Sequence, residues 1–172
     1  MKTLRCASFT LGLLALLTGS ALAADDKPSP AQLAIQHLVG KWSGKGTIQA
    51  EGKTHKVTMS WDCVTAAAGT ATKCKGTILG LPGFTYEFDD LWGCSPADGL
   101  VHWYTVTNAG EVHDHQGHLD DGGGQVAVAV PMNGKLLSEV ITVKRKGDVL
   151  VMSWVTTLGG AARERGEIEL RK

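Results

Sequence analysis

The chain predicts an all-β fold: a closed antiparallel meander barrel of about ten strands with one short N-terminal helix. Three observations carry this expectation. From Trp42 onward the sequence runs in short segments rich in Val, Thr, Ile and aromatics, each ended by Gly, Asn, Asp or Pro. The composition is ordinary for a globular chain except for 22 glycines, which mark many turns. Strands that follow one another through hairpins leave two unpaired edges unless the sheet closes on itself, so a barrel is favoured over an open sheet.

The first residues read as an address. Lys2 and Arg5 form a positive start, Phe9 to Leu17 is an apolar run, and Ala21-Leu22-Ala23 has the small-x-small form that signal peptidase accepts, so cleavage is expected before Ala24. The apolar run is too short, and too soon followed by Asp25 and Asp26, to span a membrane. No cysteine stands at the cleavage point, which argues against a lipid anchor, and Cys6 falls in the discarded segment. The expected product is exported to the periplasm or the extracellular space and is not inserted in a membrane. The expected organisation is a signal peptide over 1–23, a lead and short helix over 24–40, and a barrel domain over 41–172.

The helix is expected over residues 30–38, because Ser29-Pro30 is an N-cap followed by the residue favoured at the first helical position, and Gly40 supplies a stop. The strands are expected at Lys41 to Ala50, His55 to Val64, Ala71 to Leu79, Phe84 to Leu91, Leu100 to Thr107, Glu111 to Leu119, Gln125 to Val130, Leu136 to Lys144, Val149 to Thr157 and Arg163 to Leu170. Alternation puts Phe84, Tyr86 and Phe88 on one face, expected to be the inner one, and sets Ile168 and Leu170 opposite Glu167, Glu169 and Arg171. The ninth strand is apolar on both faces, so its outer face calls for cover by the helix or by a partner subunit, and a homo-oligomer is one outcome.

Without the leader, 149 residues remain, carrying 15 basic and 17 acidic side chains for a net charge of −2. Nothing in that balance attracts nucleic acid or an anionic membrane surface. Three cysteines remain, which in an exported chain implies one disulfide and one free thiol. If Ala66 to Gly69 is the turn between the second and third strands, Cys63 and Cys74 stand opposite each other and Cys94 is free. No C-x-x-C pair exists and three thiols would need a fourth ligand, which argues against zinc held by cysteines alone.

The run Leu38-Val39-Gly40-Lys41-Trp42-Ser43-Gly44-Lys45-Gly46, a short helix leading into Gly-x-Trp on the first strand, resembles the opening of the calycin superfamily, which includes lipocalins, fatty-acid-binding proteins and nitrobindins. The stretch Asn108 to His118 is similar to segments of exported bacterial lipocalin-like proteins of undefined function. The resemblance implies that Trp42 closes one barrel end beneath an arginine of the last strand, Arg163 or Arg165. Parity places both arginines opposite Ile168 and Leu170, so a bulge near Gly166 would be needed to turn one inward. Nitrobindins bind haem through a histidine near the chain end, but no histidine follows His118 here, which disfavours haem.

Four histidines lie between His102 and His118. The turn Asn108-Ala109-Gly110 suggests a register pairing Val106 with His113 and Tyr104 with His115, which would put His102, Tyr104, His113 and His115 on one face and His118 on the other. A His-x-His pair with a third imidazole from a neighbouring strand is a geometry that binds zinc or another metal and leaves one position for water. The competing reading is a polar stripe, since a slip of one residue would scatter the cluster. Asp114 and Glu111 are too close in sequence to be assigned as supports of that cluster.

Hydrolytic chemistry finds no foothold: the serines lack a Gly-x-Ser-x-Gly context and no glycine-rich phosphate loop is present. Asp89-Asp90 and Asp120-Asp121 read as solvated strand-end or turn acids. The function favoured is a small-molecule binding barrel with no catalytic residues, lined by Phe84, Tyr86, Phe88, Trp103 and Tyr104. The alternative is a metal or haem site at His102, His113 and His115 acting on a small molecule.

Overall fold

The computed structural model describes residues 27–172. The leader expected over 1–23 lies outside the described residues. The helix α1 spans Pro30–His37 and opens with a capping box: Gln32 N donates to Ser29 Oγ at 3.2 Å while Ser29 N donates to Gln32 Oε1 at 2.8 Å. Ten strands follow: β1 Gly40–Ala50, β2 Lys53–Ala66, β3 Ala71–Leu81, β4 Phe84–Cys94, β5 Val101–Thr107, β6 Val112–Asp120, β7 Gly123–Met132, β8 Lys135–Lys146, β9 Val149–Leu158 and β10 Ala161–Arg171. Each pairs antiparallel with the next, and β10 pairs with β1, so the meander closes into a barrel with no free edge. No helix among the described residues is long and apolar enough to cross a membrane.

The two barrel ends differ. At the end where β1 begins and β10 finishes, α1 packs against β3, β4 and β6 and buries Ala34, Ile35 and Leu38 in the core. Thr72 Oγ1 donates to Ile35 O at 2.8 Å, so a buried hydroxyl answers a carbonyl of the last helical turn. Trp42 is buried and its Nε1 donates to Leu38 O at 2.7 Å. Beneath the helix, Trp92 stacks on Trp103 with ring centroids 4.2 Å apart and meets Trp61 edge-on at 5.9 Å. Cys63 and Cys74 face each other across β2 and β3 and form the disulfide, both buried in this end of the core, while Cys94 is free. That bond indicates an oxidising compartment.

Three expectations about this scaffold are corrected. The arginine over Trp42 is absent: Lys172 Nζ sits 4.8 Å from the Trp42 ring centroid and donates to His37 O at 3.1 Å. The register explains it, because Ser43 pairs with Arg171 whereas Arg165 pairs with Gln49, so Arg163 and Arg165 stand at the far end of β10 from Trp42. The bulge in β10 lies between Ala162 and Glu164, not at Gly166. The helix does not cover the outer face of β9, where Val155 stays 50% exposed beside its cross-strand neighbour Val140.

Candidate functional site

The opposite half of the barrel is hollow. A cavity of about 320 Å³ opens at the end where β4 and β6 begin, and its wall includes Phe84, Tyr86, Phe88, Ile141, Met152 and Trp154. Two glycines make room for two of its rings. A Cβ at Gly76 would lie 2.2 Å from Phe88 Cζ, and one at Gly166 would lie 2.2 Å from Trp154 Cζ2, so each aromatic lies over a cross-strand partner that has no side chain. Phe84, Tyr86 and Phe88 do share the inner face, with ring centroids 6.1 Å and 5.9 Å apart along the strand.

The histidines are arranged differently from the expected register. Thr107 N donates to Glu111 O at 3.0 Å and Gly110, at φ +81°, completes a three-residue loop, so Val106 pairs with Val112. Trp103 then stands opposite His115, and Thr105 opposite His113. One residue of shift sends His102 and Tyr104 to the outer face, where Tyr104 is 47% exposed. His102 is held there between Asp98 and Asp114, at 3.1 Å from its Nε2 and 3.2 Å from its Nδ1. Although partial burial works against its charge, hydrogen bonds to those two carboxylates raise its pKa above the ordinary histidine value. His102 therefore does not join His113 and His115, and Tyr104 is not part of the cavity wall.

On the inner wall the third partner is an acid. His115 is 2% exposed, and its Nε2 lies 2.8 Å from Glu139 Oε1 on β8. Thr156 Oγ1 on β9 donates to Glu139 Oε2 at 2.6 Å. Burial pushes the Glu139 carboxyl up, yet the hydrogen bonds from His115 and Thr156 outweigh it and hold the group below the usual range, as a carboxylate. One ligand atom each from His113, His115 and Glu139 falls within 4.8 Å of the others. His115 Nδ1 is buried with no hydrogen-bond partner.

Two further polar contacts line the cavity. Tyr86 Oη donates to Glu111 Oε2 at 3.0 Å, and burial together with the Glu111 charge raises the phenol far above its ordinary pKa. Trp154 Nε1 donates to Glu164 Oε1 at 2.7 Å, and burial, with Glu139 and Glu111 nearby, raises the Glu164 carboxyl. The cavity is thus apolar with a partly anionic rim and one imidazole–carboxylate wall.

Asp90 overturns the solvated-acid reading for the Asp89-Asp90 pair. Asp89 is exposed, but Asp90 lies mid-strand on the inner face at 2% exposure, where it accepts from Trp61 Nε1 at 3.0 Å and Thr105 Oγ1 at 2.7 Å. Burial drives its pKa up to about 6, against the pull of those hydrogen bonds. It sits under the tryptophan cluster, not in the cavity wall.

Sequence reasoning missed Asp90, Glu139 and Thr156. The signal was parity: Asp90 alternates with Phe88 and Trp92, Glu139 with Leu137 and Ile141, and Thr156 with Trp154 and Met152.

No known family model matches the chain, and no curated protein matches it. Among solved structures, it is similar to the S-type phycobiliprotein lyase CPES from Guillardia theta, with a TM-score of 0.55 and 8% identity, covering 84% of this chain and 93% of that one. The likeness is one of fold. An identity so low bears on architecture alone, so the cavity has to be read from its own residues.

Proposed function

We propose that the protein is an exported binding module, with residues 1–23 as its removable leader, that holds a small hydrophobic or amphipathic molecule in the open half of the barrel without transforming it. The observation that carries this is the cavity of about 320 Å³, walled by aromatic and aliphatic side chains with a few fixed polar groups. Apolar area supplies affinity in such sites and the polar groups set orientation. The volume is at the lower end of the roughly 300–1,000 Å³ usual for ligand sites, which favours a compact molecule over a long lipid chain. The exposed polar mouth, with Glu111, Glu164 and Arg163, suits a ligand whose polar end faces water. Export is supported by the leader pattern and by the Cys63–Cys74 bond.

Titration with an environment-sensitive apolar dye tests the reading. Saturable binding near one site per chain is the expected result, and it should weaken several-fold in Phe84→Asp. Phe84 is 42% exposed at the mouth, so that change leaves the packed core intact. Absence of saturable binding by the folded wild type removes the proposal. Mass spectrometry of the natively purified protein would name the occupant, and an N-terminus at Ala24 after expression in an exporting host would establish the leader.

A further inference from the structure

The inner wall carries three donors whose arrangement the fold does not require. His113 and His115 are two residues apart on β6, so both imidazoles face the barrel interior. Glu139 comes from β8, across β7, where its ladder partner is Val128, and it reaches His115 at 2.8 Å. Buried polar atoms are nearly always paired, yet His115, at 2% exposure, keeps its Nδ1 without a hydrogen-bond partner. Trp92 Nε1 and Trp103 Nε1 are also buried and unpaired, but neither can ligate a metal, whereas His115 stands in a cluster of ligating side chains on the cavity wall.

We propose that His113, His115 and Glu139 form a divalent transition-metal site of the two-histidine, one-carboxylate type, open toward the cavity. Imidazole nitrogen and carboxylate oxygen are the donors that suit Zn(II) or Fe(II), whereas calcium and magnesium are held by oxygen alone. Three protein donors leave at least one coordination position for water or for an oxygen of the cavity's occupant. Donors around a tetrahedral ion at about 2.1 Å sit about 3.4 Å from one another. The present spacing, within 4.8 Å, is wider than that by about 1.4 Å at most, so binding calls for a small rearrangement of the three side chains, including the His115–Glu139 contact now at 2.8 Å. Thr156, which donates to Glu139 Oε2, holds the carboxylate in orientation and is a positioning residue. This site deepens the cavity reading: it adds to the apolar pocket a metal that selects occupants bearing an anionic or lone-pair oxygen.

The test uses the untagged mature chain and Zn(II) alone. After equilibration and removal of free ion, elemental analysis should find close to one zinc per chain. His113→Ala and Glu139→Gln should each weaken binding by about tenfold or more through loss of one donor, with circular dichroism unchanged. His102→Ala, on the outer face, should bind as the wild type does. His113 is the decisive position because it is only partly buried and its loss leaves the core packed. Substoichiometric zinc in the wild type, or zinc retained in full by His113→Ala, overturns the proposal. If the dye binds and zinc does not, the metal site falls and the cavity reading stands; if zinc binds and the dye does not, the reverse holds.

Discussion

The closed end and the open half of this barrel are built from the same strands, yet they use their inward side chains for opposite purposes. Around Trp42, Trp61 and Trp92 the interior is filled: the three indoles are at most 2% exposed, the disulfide is buried among them and α1 seals the end. Around Phe84, Tyr86 and Trp154 the same alternation leaves about 320 Å³ empty and turns charged groups inward. Filled interior contributes stability through contact, because dispersion and apolar burial need atoms on both sides. Unfilled interior forgoes that stabilisation and leaves area for a ligand. The comparison teaches that stability and binding are separated along the barrel axis, so changes at the two ends should fail in different ways.

The largest contrast should come from Trp92→Ala against Phe84→Ala. Trp92 is fully buried and stacked on Trp103, so its truncation should cost about 3–5 kcal/mol in chemical denaturation. Phe84→Ala should cost less than about 1 kcal/mol, since the ring is already 42% exposed, while weakening dye binding. Equal stability losses in the two variants would break the proposed separation.

Next in size is the pH dependence set by Asp90. Its pKa rises from 3.8 to about 6 on folding, so between those values the folded state holds a proton that the unfolded state has released. Its contribution is fully present below about pH 4 and is lost as pH rises through about 6, a change of roughly 3 kcal/mol by linkage. Asp90→Asn should flatten this part of the stability curve relative to wild type. Parallel curves for the two proteins from pH 4 to 7 would contradict it.

Removing the disulfide by Cys63→Ala with Cys74→Ala should cost about 2–3 kcal/mol by the chain-entropy estimate for so short a loop. Because the bond lies in the filled end, dye affinity should survive at temperatures where the variant stays folded. The smallest effect is expected from Tyr86→Phe, which releases Glu111 to water at the partly exposed rim and should change stability by less than about 1 kcal/mol. A dye affinity altered as strongly as in Phe84→Asp would sharpen the picture by showing that the Tyr86–Glu111 contact shapes the mouth.

Much of the fold was legible because it depends on local signals. All ten strands lie where alternation and turn residues placed them, with ends differing by a few residues, and the capping box begins α1 at Pro30 as the Ser29-Pro30 pair implies. The Cys63–Cys74 pairing was also legible, because the short turn over Ala67–Gly69 fixes that register. The candidate site was legible only in part. His113 and His115 were found, but His102 and Tyr104 were assigned to the same face, and Asp90, Glu139 and Thr156 were passed over.

The physical reason is the period of a strand. What faces together within one strand follows from the sequence, since side chains alternate strictly. What faces together across strands depends on register, and in the β5–β6 hairpin one residue of loop geometry decides whether His113 looks across at Val106 or at Thr105. Glu139 is further removed still: it meets His115 across an intervening strand, a contact that depends on the β6–β7 and β7–β8 registers together. Sequence by itself determined the strands, the inward face of Phe84, Tyr86 and Phe88, and the disulfide. Only the tertiary structure decided that Lys172 and not an arginine covers that tryptophan, that Asp90 is buried, and that an acid stands beside the histidines. Each of those depends on how far one strand slides past another, and that is fixed by packing the whole barrel at once.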